Sequence, residues 1–398
     1  MPTDLAVAAR SPRTETARHL FHRARGTLYR AAPALMLYAS VRLAGLIVVA
    51  AVAWMKSRPV WTVLGDSWDS RWYAGIARHG YGTVVPGELP GITRSDLAFF
   101  PLFPALERAL VTIAPISPTL AGLIVAWTSA GAAAWGIYAV GERLHGRRTG
   151  IFLVLLWGLL PHAIVETMAY TESLMTALAA WSLYAVLTRR WMWAGILALF
   201  AGLTRPNAVA VAAAVLSAAA VVLWRSTSSR RDWRIWAGAA LAPLGWLGYV
   251  AWAGSRSGGP LGYFAVQRDW GSRFDFGVSE LHFVRRMLTD RGAALNLGYA
   301  MSLVVLLVAV PALVLLVLDR PPLPVLVYSL LLVIIAVGGS GYYASRPRFL
   351  LPAFPLLLPA ALAMTRTRPR TATVMVAALA GVSFAYGVYP PFYAGTAP

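Results

Sequence analysis

Apolar runs of roughly the 20 residues that a helix needs to cross the hydrocarbon of a bilayer recur along almost the entire chain. That recurrence constrains the fold more than any motif, because a chain so arranged has the bilayer as its solvent. Composition agrees: of 398 residues, 58% are hydrophobic and 13% charged, whereas soluble proteins carry about a quarter charged residues. The formal net charge is +19, from 35 basic and 16 acidic residues. A disordered basic nucleic-acid binder is excluded, since it would combine its charge with low hydrophobicity. Cysteine is absent, so neither disulfides nor thiolate metal sites can form.

Residues 1–34 hold Arg10, Arg13, Arg18, Arg23, Arg25 and Arg30 without a long apolar run, and read as a cytoplasmic basic arm, not a signal peptide. Residues 35–388 are expected to form the transmembrane domain, and 389–398 an outer tail. The first span, about 35–55, contains Arg42, which must find a partner in the bundle because an unpaired charge in lipid costs at least a few kcal/mol. Residues 56–116 form a long outer loop, with an interfacial helix over Leu102 to Ala114. Further spans are expected at about 117–140, 150–165, 172–188, 191–204, 208–224, 236–254, 297–318, 322–340, 349–365 and 371–388, about eleven in all. Alternation then puts the arginine-rich loops at 143–148, 189–190, 225–234 and 366–370 beside the amino terminus, as the positive-inside rule requires. A second outer loop covers 255–296. The Arg-rich chain, free of cysteine and of N-glycosylation sequons, points to a bacterial plasma membrane.

With this threading, eleven of the sixteen acids lie on or near the outer face. Carboxylates gathered among aromatic residues near a membrane are by default a functional site. The densest group is Asp66-Ser67-Trp68-Asp69-Ser70-Arg71-Trp72-Tyr73, followed by His79-Gly80-Tyr81 and Ala98-Phe99-Phe100-Pro101-Leu102-Phe103-Pro104. On composition alone these residues also describe an interfacial aromatic belt over a solvated acidic loop.

The run Trp68-Asp69-x-x-Trp72-Tyr73-x-x-Ile76-Ala77-x-His79-Gly80-Tyr81, with Ala98-Phe99-Phe100-Pro101-x-Phe103-Pro104, resembles the PIG-V-like family, relatives of the enzyme that adds the second mannose in GPI-anchor assembly. Ala169-Tyr170-Thr171-Glu172-Ser173, Thr204-Arg205-Pro206-Asn207 and Ser345-Arg346-Pro347-Arg348-Phe349 resemble its later blocks in the same order. The resemblance implies a GT-C fold, inverting sugar transfer, and an essential aspartate that maps to Asp69, with Asp66 its companion.

The residue chemistry is compatible with that implication. Transfer from a phosphate leaving group needs a carboxylate to take the acceptor's proton and positive charge to stabilise the departing phosphate. Asp69 is the expected base; Arg346 and Arg348, whose guanidinium forks match phosphate oxygens, are the expected donor-phosphate ligands. Trp68, Arg71, Tyr73, His79, Tyr170, Glu172, Arg205, Asn207, Gln267, Arg268, Trp270 and Tyr342 are candidate substrate contacts, although Glu172 and Arg205 at adjoining span ends read equally as an ion pair. No G-x-G-x-x-G after a strand and no P-loop appears, so the donor is expected to be lipid-linked; the family implies a polyprenyl-phosphate sugar, mannose above all. A cell-envelope glycan, glycolipid or protein is the expected acceptor. Asp66-x-x-Asp69 supplies two oxygen ligands, fewer than a dedicated divalent site usually collects; donor phosphate oxygens could complete a Mg²⁺ or Mn²⁺ shell, and metal dependence stays open. The rival expectation is a transporter or lipid flippase, which should carry its charges near the bilayer midplane in two matching halves.

Overall fold

The computed structural model describes residues 12–87, 92–290 and 296–394, with side chains from Tyr29 onward. The first eleven residues of the basic arm, the acid Glu88 and the last four residues of the expected tail lie outside this description. Among the described residues the only sheet is a two-stranded hairpin, Val84–Pro86 (β1) against Thr93–Ser95 (β2), antiparallel with Val84 opposite Ser95. Everything else is helix and turn, so the expected all-α membrane architecture holds.

The first helix, α1, runs Pro12–Met55 without a break at residue 34. Beyond it lie α2 (Val60–Gly65), α3 (Asp69–His79) and α4 (Leu102–Ile113), the last covering the expected interfacial helix. Pro118 at the first turn and Ser117, whose side chain accepts the Leu120 N–H at 3.2 Å, start α5 (Pro118–His145). Gly146, at φ 89°, then turns the chain at once into α6 (Arg147–Gly158); a side chain is disfavoured at such a φ. The bundle continues through α7 (Glu172–Leu187), α8 (Trp191–Gly202), α9 (Val209–Arg225), α10 (Trp233–Leu241) and α11 (Leu244–Arg256). Two short helices, α12 (Gly262–Asp269) and α13 (Val278–Thr289), fill the second long loop. The last five are α14 (Leu297–Leu318), α15 (Leu323–Gly338), α16 (Arg346–Leu350), α17 (Leu358–Arg366) and α18 (Pro369–Phe392). Helix α18 thus extends past the expected end of the domain at 388.

Among the described residues six helical stretches are long and apolar enough to cross a membrane, with α10 and α11 joined as Trp233–Arg256 and α9 taken with the turn before it as Pro206–Arg225, and seven if the pair bent by 80° between Leu350 and Phe354 is one span. The expected count of about eleven is not reached by length. The segments at 150–165, 172–188, 191–204 and 322–340 are helices of 12, 16, 12 and 16 residues, shorter than the roughly 20 residues a crossing needs. Two of them stop short because the chain leaves the helix for tight 3-10 turns at Ala163–Thr167 and Pro206–Ala208.

Small residues bring these helices together, as expected where lipid removes the hydrophobic drive between them. A Cβ on Gly195 would strike the backbone of Gly238, and one on Gly238 would strike Trp191, so α8 and α10 touch backbone to backbone. Likewise Gly245 of α11 admits the Leu199 carbonyl. Arg42 finds the partners it requires: Nη1 donates to the Gly158 carbonyl (3.3 Å), Nη2 to Thr167 Oγ1 (3.4 Å), and Nε lies 3.7 Å from Glu166 Oε2. Tyr38 donates to the same Glu166 oxygen at 2.8 Å. At one end of α1, Arg30 pairs with Glu142 near the end of α5; the other end of α1 meets α2 and the end of α18, and this second end carries the candidate site.

Candidate active site

Four blocks far apart in sequence meet at that end. Trp68 adopts φ 48° and reverses the chain so that Asp69 becomes the first residue of α3. A non-glycine residue in this region carries strain, a feature that concentrates at functional sites. Asp69 accepts from Arg348 Nη1 at 2.6 Å. Arg348 Nε lies 3.2 Å from Glu172 Oε1, and Arg205 closes on the same Glu172 oxygen. These two contacts are close as charges but not aligned as hydrogen bonds.

The result is a compensated cluster of two carboxylates and two guanidinium groups, walled by rings. Arg348 lies 5.1 Å from the Tyr170 ring and 5.3 Å from the Phe349 ring, with Arg205 5.7 Å from Phe349. Exposure separates the members: the Asp69 side chain is 24% exposed, against 2% for Glu172, 6% for Arg348 and 10% for Arg205. Asp69 is therefore the member a substrate can reach.

The neighbouring candidates support this cluster from several sides. Tyr73 Oη lies 3.4 Å from Thr171 Oγ1, and Tyr170 Oη donates to the Ser67 carbonyl at 3.5 Å. Burial raises the Tyr73 phenol well above its ordinary range, with the Asp69 charge adding to the shift, so Tyr73 stays protonated. Asn207 Nδ2 donates to the Phe349 carbonyl at 3.4 Å. Trp270 packs edge-on against Trp72 at 5.0 Å and Phe99 at 5.3 Å, and its indole donates to the Ser95 carbonyl at 2.9 Å. Gln267 donates to the Ala98 carbonyl at 3.2 Å, and Tyr342 to the Trp270 carbonyl at 2.5 Å.

Other candidates stand apart. Asp66 turns away from Asp69 and pairs with Arg71 at 3.4 Å, both well exposed. Arg346 does not join Arg348: it is buried beneath the Gly339 carbonyl, to which it donates, with Glu280 of α13 at 3.7 Å and the Tyr343 ring at 5.4 Å. Arg268 lines a separate polar hollow of about 340 Å³ with Gly271, Arg273, Ser340 and Gly341. His79 is exposed at the end of α3. Among the described residues no three His, Asp or Glu side chains converge to hold a metal ion. With Asp66 turned to Arg71 and Asp69 to Arg348, the donor set does not fit a protein-held Mg²⁺ or Mn²⁺.

Sequence reading missed the packing partners that hold the Phe99-Phe100 block. Tyr249 donates to both the Leu97 and Phe99 carbonyls (3.0 and 2.6 Å), and its ring lies 4.3 Å from Phe100. It also missed a cleft of about 430 Å³ between Trp68, Arg71, Trp72, Arg58 and the Pro390–Tyr393 segment. The aromatic run at the end of α18 was its one visible signal.

No protein-family model matches the chain, and neither does any curated protein. Among solved structures, it is similar to ArnT from Cupriavidus metallidurans bound to undecaprenyl phosphate, with TM-score 0.50 and 17% identity over 83% of this chain and 63% of that one. The apo state of ArnT aligns with TM-score 0.49 and 17% identity, over 84% and 61% of the two chains. The archaeal oligosaccharyltransferase AglB from Archaeoglobus fulgidus, in complex with an inhibitory peptide and a dolichol-phosphate, gives 0.47 and 12% over 91% and 56%. This chain thus spans roughly three fifths of the length of these proteins. The likeness is one of fold: the helical architecture is similar to that of ArnT.

Proposed function

We propose that the protein is a GT-C glycosyltransferase that moves a sugar, mannose by its PIG-V-like motifs, from a polyprenyl-phosphate donor to a cell-envelope or lipid-linked acceptor on the non-cytoplasmic face of a bacterial plasma membrane. The observation that carries this reading is the partly exposed Asp69 carboxylate, held by Arg348 beside Glu172 and Arg205. Undecaprenyl phosphate is the ligand named for ArnT, and a lipid-linked donor here is an extension from that fold likeness. Charges gathered at one end of the bundle support an enzyme over a transporter with two matched halves.

In this mechanism the acceptor hydroxyl oxygen attacks the anomeric carbon as the bond from that carbon to the phosphate oxygen breaks. The hydroxyl proton passes to Asp69. The phosphate leaves with the bonding pair, its growing charge stabilised by Arg348, which swings between Asp69 and the phosphate; a single displacement inverts the anomeric centre. Arg346 contributes from behind, bonding to the Gly339 carbonyl and so holding the turn that leads into α16, the helix that carries Arg348. Purified protein given polyprenyl-phosphate mannose and an envelope glycolipid extract should release polyprenyl phosphate. Absence of release with any envelope fraction, from protein that retains its fold, would count against the reading.

A further inference from the structure

The cluster around Asp69 balances two carboxylates with two guanidinium groups, so until Asp69 takes a proton and releases Arg348 it offers an incoming phosphate no uncompensated positive charge. One residue away the balance changes. The cleft of about 430 Å³ beside Trp68 is walled by Trp68, Trp72, Phe392 and Tyr393 and contains Arg58 and Arg71. Arg58 donates to the Pro391 carbonyl at 3.2 Å and lies 5.8 Å from the Phe392 ring; among the described residues no carboxylate is ion-paired with it. Arg71 has Asp66 at 3.4 Å, but that pair is 67% and 48% exposed, and water screens it heavily. Lys56 sits over the Tyr393 ring at 4.3 Å. Two arginines thus line the cleft, and the one acid paired with them is solvated.

The position of the cleft identifies what it can receive. It is lined by Arg58, three residues past the end of α1, and by the end of α18; these two spans have only 22% of their most apolar stretch buried in the protein. Spans with so little of their apolar surface covered by protein suit contact with lipid, and the tryptophan and tyrosine rings around the cleft suit headgroup depth, where such side chains anchor. The positive-φ turn at Trp68 leaves that residue lining the cleft while the next, Asp69, bonds to Arg348.

We propose that this cleft binds the phosphate of a membrane lipid, with Arg58 and Arg71 as its charged ligands and the Trp68 and Trp72 faces beside the group the phosphate carries. Guanidinium forks suit phosphate oxygens, and a ligand seated here lies next to the base. A polyprenyl phosphate and a phosphoglyceride head group share this chemistry. The proposal requires α1 and α18 to face lipid but does not require sugar transfer, so it can fail while the transferase reading holds, and the reverse.

The test uses full-length protein in phosphatidylcholine nanodiscs, titrated separately with polyprenyl phosphate, phosphatidylglycerol and inorganic phosphate. One of the two lipids should bind saturably, and Arg58→Gln with Arg71→Gln should weaken it at least tenfold, since each charged contact is worth a tenfold change or more. The paired Lys variants should retain part of the affinity. Preference for polyprenyl phosphate assigns the cleft to the donor lipid; preference for phosphatidylglycerol assigns it to a phosphoglyceride head group; either sustains the site. Asp66→Asn, at an exposed position where folding tolerates change, should tighten binding several-fold by releasing Arg71. Unchanged affinity in the double Gln protein, no tightening in Asp66→Asn, or inorganic phosphate binding as well as either lipid would each overturn the proposal.

Discussion

Replacing Asp69 by Asn tests the centre of the mechanism, because it preserves shape while removing both the charge and the proton acceptor. Arg348 then loses its 2.6 Å bond to Asp69 but keeps Glu172 at 3.2 Å, and the cluster passes from neutral to +1. Breaking a fully buried ion pair costs about 3–5 kcal/mol. Asp69 is 24% exposed and Arg348 is left with a second carboxylate, so the cost here should fall to about 1–2 kcal/mol. Loss of a general base costs about 10²–10⁴ in rate, equivalent to about 3–5 kcal/mol of barrier. Turnover should therefore collapse while the melting temperature falls by only a few degrees. Release of polyprenyl phosphate from labelled donor, measured beside thermal unfolding in the same nanodiscs, separates the two effects. Turnover within threefold of the parent protein would refute the base assignment; activity lost only in proportion to folded protein would make Asp69 a structural anion.

Three further expectations follow from the packing. Burial pushes the Glu107 carboxyl up to about 9 from 4.5, against an opposing influence from Arg78; the folded state then keeps a proton that the unfolded chain releases, so stability falls as pH rises from about 4.5 to about 9, by about 3 kcal/mol at pH 7. Glu107→Gln should remove that slope, and equal pH dependence of melting in both proteins between pH 5 and 8 would show Glu107 to be ionised. Glu172 serves both Arg205 and Arg348, so Glu172→Gln should destabilise by about 3 kcal/mol or more, and a cycle with Arg205→Gln should give a coupling of at least about 1 kcal/mol in unfolding; strict additivity would mean the two charges do not interact. Gly195→Leu should separate α8 from α10 and cost about 1–3 kcal/mol or more, read as lost thermal stability, whereas Gly131→Leu, which has open space beside it, should be near neutral.

Apolar period and loop charge were enough to read the class of fold, the approximate positions of the long helices and the segment that carries Asp69, though not where α1 begins or α18 ends. Helix α4 appeared where proline and an amphipathic run announced it. The short segments at 150–165 and 191–204 were harder, because hydropathy reports which residues prefer lipid and not where a helix yields to a 3-10 turn buried by its neighbours. Site candidates divided on the same ground. Glu172 and Arg205 pair as their charges and adjoining span ends suggested. Arg346 and Arg348, two residues apart on the one-turn helix α16, take different partners, Glu280 and Asp69, and nothing in the tetrad Arg-Pro-Arg-Phe distinguishes them.

Sequence by itself determined that this chain lives in a bilayer, which loops are basic, and that acids and aromatic residues collect at one end. These are properties of local composition, and the bilayer acts on them segment by segment. Only the tertiary structure decided which charges meet. Asp69, Glu172, Arg205 and Arg348 are separated by 33 to 279 positions along the chain, and their pairing depends on close helix crossings, on the turn at Trp68 and on the bend after Leu350. In a low-dielectric interior a charge is stable only with its partner, so the fold, not the motif, selected the one carboxylate of the cluster left open to substrate.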